Sequence, residues 1–98
     1  MDFEFDDSEL EGLLFDPSHK SRYPVEVVKM YRKRMQFIRN APDERSLRAM
    51  KSFHFEELKG NRKGQHSIRL NQQFRLVFRI VGEKDNKKLV LLAIEDYH

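Results

Sequence analysis

Apolar residues recur along this chain with two different periods, and the change between them falls near Lys51. At the start, Met1, Phe3 and Phe5 alternate with acidic residues, which predicts a short half-buried strand. Asp6-Asp7-Ser8 then offers capping groups for a short helix through Leu10, Leu13, Leu14 and Phe15, which Asp16-Pro17-Ser18 ends. A polar loop follows, and Pro24 suits the first turn of a longer helix over residues 25–40. There Val28, Tyr31, Met35 and Ile38 recur at three- and four-residue steps, while Lys29, Arg32, Lys33 and Arg39 give the outer surface a basic character. Asn40-Ala41-Pro42 breaks this helix, and residues 43–50 predict a further short one with acidic residues in its first turn.

Beyond Lys51 the period becomes two. Residues 53–58 read as an imperfect strand, and residues 59–64 as a basic turn whose glycines permit backbone conformations that side chains disfavour. Residues 65–70 form a clearer strand. The cleanest alternation spans residues 74–81, with Phe74, Leu76, Phe78 and Ile80 on one side and Arg75, Val77, Arg79 and Val81 on the other. After a hairpin loop at 82–87, residues 88–95 return as a strand apolar on both faces, which predicts a central position. This order predicts one α+β domain over residues 1–98, with a mainly antiparallel sheet and the N-terminal helices on one face. The aromatic side of residues 74–81 should meet the helices, leaving the arginine side as an open face.

Composition sharpens this picture. Hydrophobic residues make up 39% of the 98 and charged residues 36%, so a modest core must sit under a densely charged surface. Eight Phe and three Tyr argue against disorder, and the absence of Cys excludes disulfides and thiolate metal sites. No apolar run approaches the roughly 20 residues that cross a bilayer, and the acidic N-terminus is unlike a secretory signal. The expected setting is cytoplasmic, with no membrane contact. Net charge is +3, but the first 16 residues carry seven acidic side chains and no Lys or Arg, which leaves +10 on the remaining 82. A body so basic points to a polyanion, with RNA or DNA first among the candidates.

The open face would hold the chemistry. Cutting RNA without a metal needs a base for the ribose 2′-hydroxyl, an acid for the leaving oxygen and positive charge on the phosphate. Arg69, Arg75 and Arg79 would project from that face, and an arginine grips phosphate oxygens two at a time. His98 follows Asp96 and Tyr97 at the chain end, where taken alone it reads as a frayed terminus; His54 and His66 flank the basic turn. Walker, dinucleotide-binding and histidine-glutamate zinc motifs are missing, and ligand count and spacing predict neither a metal site nor a cofactor.

The stretch Leu58-Lys59-Gly60-Asn61-Arg62-Lys63-Gly64-Gln65-His66-Ser67-Ile68-Arg69-Leu70-Asn71, then Phe74-Arg75-Leu76, then Glu95-Asp96-Tyr97-His98, closely resembles the HigB branch of the RelE/ParE toxin superfamily. The resemblance implies a compact RelE-like, microbial-RNase-like fold and a toxin of a type II toxin-antitoxin pair. Such a toxin enters the ribosome and cuts messenger RNA by 2′-hydroxyl attack without a metal. It also implies a HigA-type helix-turn-helix antitoxin, whose complex with the toxin binds operator DNA. On this basis Arg75, His98, Tyr97, Asp96 and His54 are the expected catalytic set, with Lys59, Arg62, Arg69 and Gln73 binding substrate. Two positions depart from relatives: a histidine can lie two residues closer to Leu-Lys-Gly, where this chain carries Glu56, and the place of Gln73 can hold Asn or Asp. A ParE-like inhibitor of DNA gyrase, which has no need of the Asp-Tyr-His tail, and a non-catalytic nucleic-acid-binding module are the competing readings.

Overall fold

The computed structural model describes residues 1–16 and 18–97. Its elements follow in chain order as β1 (Asp2–Phe5), α1 (Ser8–Phe15), α2 (Val25–Asn40), α3 (Glu44–Ala49), β2 (Glu56–Glu57), β3 (Gln65–Arg69), β4 (Phe74–Val81) and β5 (Lys88–Asp96), with 3-10 turns at Lys51–Phe53 and Gly60–Arg62. The five strands form one sheet in the order β1-β5-β4-β3-β2. β1 runs parallel to β5, and every other pairing is antiparallel. The sheet is therefore mixed but mainly antiparallel, and β5 lies inside it as its two-sided apolar pattern predicts.

Local chemistry explains the helix limits. The Asp7 carboxylate accepts from the Glu9 amide at 2.8 Å, and Asp43 accepts from the Arg45 amide at 2.9 Å, each satisfying a donor that the first turn leaves without a partner. Pro24 stands just before α2 rather than inside its first turn, and its carbonyl accepts from Val27 and Val28. Residues Val27, Val28, Tyr31, Met35 and Ile38 form the buried stripe of α2. That stripe shares one core with Leu10, Leu13 and Leu47 of the other helices, with Ile68, Leu76, Phe78, Leu89, Leu91 and Ile94 of the sheet, and with Leu70 just after β3. Each such large side chain withdrawn from water contributes about 1.5–3 kcal/mol before chain entropy is counted. Tyr31 stays buried because its hydroxyl donates to the Leu10 carbonyl at 2.6 Å, and burial pushes its phenol well above the ordinary range.

Two sequence expectations need correction. Residues 53–58 are not one strand: Phe53 closes a 3-10 turn, His54 turns left-handed at φ 45°, and only Glu56–Glu57 pairs with the sheet. The period of two there came from Phe53 packing on Phe37 and Phe55 on Phe78, which are contacts of a turn rather than of a pleat. Nor is the arginine face of β4 open. Arg75 is 6% exposed and Val77 fully buried, and of the two arginines on that strand Arg79 alone is exposed. The basic turn reaches this face through Arg62, which pairs with Glu95. Its reversal uses Gly60 at φ 69° and Gly64 at φ 91°, and it brings Gly64 against the Arg79 guanidinium.

The register of β5 contains the decisive irregularity. Val77 pairs with Ala93 but Phe78 pairs with Leu91, so Leu92 is an extra residue opposite that step. Before the bulge Leu89 and Leu91 face the helices, and after it Ile94 does. Ala93 and Glu95 thereby join the face of Val77 and Arg75.

Candidate active site

Cross-strand partners share a face of a sheet, so the register alone assembles a row of Arg69, Arg75 and Glu95 across β3, β4 and β5. Beside it Ser67 pairs with Val77 and also with Glu56 of β2. The Arg75 guanidinium lies at the middle of this group. Its Nε donates to the Ser67 hydroxyl at 2.8 Å, and its Nη2 donates to the His54 carbonyl and to the Ser67 carbonyl at 3.4 Å. The Glu56 carboxylate approaches Nη2 at 3.3 Å. Over the group lies the Tyr97 ring, whose centroid is 5.5 Å from the guanidinium carbon, an arrangement that favours a cation on the ring face. Burial pulls the Arg75 pKa down from its ordinary value while Glu56 acts the other way; a guanidinium keeps its charge under such conditions.

What His54 gives this group is its backbone. The left-handed conformation, disfavoured for a residue with a Cβ, marks a strained link held by its surroundings, and its carbonyl is an acceptor for Arg75. Among the described residues the carboxylate paired with Arg75 is that of Glu56, two residues further on.

The chain end is tied down through Tyr97. Asn71 Oδ1 accepts from the amides of Gln73 and Phe74 at 2.8 and 2.7 Å, shaping the turn before β4. Gln73 in turn reaches the tail twice: its Nε2 donates to Asp96 at 2.9 Å, and its carbonyl accepts from the Tyr97 amide at 2.7 Å. Gln73, Asp96 and Tyr97 are thus brought together with Arg75, whereas His98 lies outside the described residues. Lys59 is exposed at the start of the basic turn. Arg69 is half-buried, with its carbonyl accepting from Arg34 of α2 at 3.0 Å.

Arg62 is engaged internally. It meets Glu95 through Nη1 at 2.7 Å and Nη2 at 2.5 Å, and Gln65 Oε1 through Nε and Nη2. His66 belongs to the other face. It pairs with Phe78, lies between Phe55 and Phe78 with centroid distances of 5.4 and 6.0 Å, and its pKa is lowered by burial. Sequence reasoning missed Ser67, Asn71 and Glu95. Ser67 was legible, since it alternates with Arg69, but Glu95 was hidden by the bulge. Among the described residues, no group of three or more His, Cys, Asp or Glu is placed to hold a metal ion.

Helices packed on one face of a mixed, mainly antiparallel sheet are the fold of RelE-like toxins. The YoeB/ParE toxin from Agrobacterium tumefaciens shares the fold with a TM-score of 0.65 at 20% identity, all of both chains being covered. The YoeB-YefM complex from Staphylococcus aureus gives 0.58 at 20% identity, covering all of this chain and 97% of the other. Sequence supplies the narrower assignment. Residues 3–98 match the HigB-like toxin family, described as the RelE-like toxin of type II toxin-antitoxin system HigB. The chain is also 35% identical over 81 residues to Toxin HigB-1 of Vibrio cholerae serotype O1, covering 83% of this chain and 85% of that one. The chain belongs to the HigB-like family of RelE-like type II toxins.

Proposed function

We propose that this toxin is an endoribonuclease that cuts messenger RNA on the ribosome without a metal ion. A HigA-type helix-turn-helix antitoxin holds it in check, and the complex of the two binds operator DNA. The observation that carries the reading is the buried Arg75 guanidinium, fixed by Ser67 and the His54 carbonyl beside the Glu56 carboxylate and under Tyr97. A preorganised cation in a water-poor setting stabilises charge that develops on a phosphate during attack. Among the described residues the hydrogen bonds of Arg75 use Nε and Nη2, which leaves Nη1 for a phosphate oxygen.

In this reading the 2′-oxygen attacks the neighbouring phosphorus and gives its proton to Glu56, the carboxylate paired with Arg75 among the described residues. The bond to the 5′-oxygen breaks, that oxygen takes a proton from His98, and a 2′,3′-cyclic phosphate remains. Tyr97 stacks on a base and Asp96 orients the tail, while Lys59 and Arg69 supply outer phosphate contacts.

Induction in a bacterium with mapping of RNA 5′ ends tests the reading. Cuts within translated frames, absent when His98 is deleted, are expected. Intact message with trapped gyrase–DNA complexes would replace it with gyrase inhibition. Full toxicity without His98 would remove that residue from the mechanism.

A further inference from the structure

Two carboxylates flank Arg75, and the structure treats them differently. Glu56, from β2, reaches the guanidinium at 3.3 Å. Glu95 is the direct register partner of Arg75 on β5, a placement in which opposite charges attract across a sheet. Its carboxylate is nevertheless turned to Arg62, with both oxygens engaged in a two-pronged pair at 2.7 and 2.5 Å. The two side chains are only about one-third exposed, at 37% and 31%, so water screens the pair in part. Arg62 is itself aimed by Gln65 Oε1, which accepts from Nε at 3.2 Å and Nη2 at 3.0 Å.

We propose that Arg62 is a positioning residue that keeps the Glu95 carboxylate away from Arg75, so that the Arg75 charge remains available to the phosphate of the message. The inference rests on the nuclease reading of this face. Without Arg62, Glu95 would have Arg75 as its nearest cross-strand cation, and Arg75 would lie between two carboxylates that repel an incoming phosphate. The same pair, 33 residues apart along the chain, fixes the turn carrying Lys59 to the end of β5, from which Tyr97 follows. Arg62 therefore acts through Glu95 and not by touching RNA.

A double-mutant cycle separates these roles. With ribosomes programmed with message, the single-turnover cleavage rate at saturation is measured for the wild type, Arg62→Ala, Glu95→Gln and Arg62→Ala/Glu95→Gln. Arg62→Ala should slow the step about tenfold, and adding Glu95→Gln should restore most of the rate, because an amide has no charge to pair with Arg75. A double variant as slow as Arg62→Ala would overturn the proposal and make Arg62 a direct contact. A second readout does not depend on cleavage: the Arg75 Nε–H resonance of the free toxin should shift in Arg62→Ala and return in the double variant. An unmoved resonance overturns the proposal even in a protein that cuts no message. A wild type that cuts no message defeats the nuclease reading alone, and the resonance still decides the role of Arg62. Arg62→Lys, which keeps the charge but loses the two-pronged fit, should fall between wild type and Arg62→Ala.

Discussion

At the middle of β4 the two faces exclude water almost equally and do so by different physics. On the helix side Phe78 is fully buried among Leu, Ile and aromatic neighbours, where contact is non-directional and volume decides the energy. On the other side Arg75 is 6% exposed, and its surroundings are a hydroxyl, carbonyls, a carboxylate and a ring, each useful only at one angle and distance. One face tolerates change in proportion to the space left empty. The other fails whenever a single donor loses its acceptor.

The largest expected effect lies on the apolar face. Phe78→Ala should lower unfolding stability by about 3–5 kcal/mol in denaturant melts, while the cleavage rate per folded molecule stays within about twofold. A collapse of that rate would show that the faces are coupled and break the contrast. Next comes Arg75→Lys, which keeps the charge but not the fork. Single-turnover cleavage should fall about 100- to 1,000-fold, with a smaller stability loss of about 1–3 kcal/mol from the acceptors left without donors. If the lysine were fully active, fixed geometry would not be what the arginine face supplies.

Glu56→Gln should follow with a rate loss of about 100-fold and a melting curve changed by less than about 0.5 kcal/mol, since its side chain is 55% exposed. Unchanged cleavage would remove Glu56 from the role of base. The smallest effect concerns His66. Burial lowers its pKa in the fold, so below its ordinary value of about 6.5 the unfolded chain binds the proton more readily. Its contribution to stability is thus complete above about pH 6.5 and is lost as the pH falls from there towards the lowered folded value. His66→Leu should flatten the melting temperature over that acid range; an identical slope in both proteins would move the titration to another group.

Much of this was legible in the chain. The helix over residues 25–40 and the strand over 74–81 were readable to the residue, because each carries many repeats of one period with a breaking residue nearby. The short stretch at 53–58 misled, since two phenylalanines spaced two apart fit a turn packed on a core as well as a strand. The open face misled for another reason. Alternation assigns a side chain to a face, but it is silent on whether a distant loop covers that face. Here the His54 carbonyl, Glu56 and Tyr97 close over Arg75, and Arg62 reaches the same face to pair with Glu95.

The sequence by itself determined the elements, the helix-facing core and the residue types of the site, because periodicity and capping act over a few neighbouring residues. Tertiary structure alone decided which of those residues meet. The bulge at Leu92 changes the parity of β5 and places Glu95 beside Arg75, the left-handed turn at His54 aims a carbonyl instead of an imidazole, and Gln73 anchors the chain end through Tyr97. Each of these depends on contacts between segments far apart in the chain, where a shift of one residue exchanges the two faces of a strand.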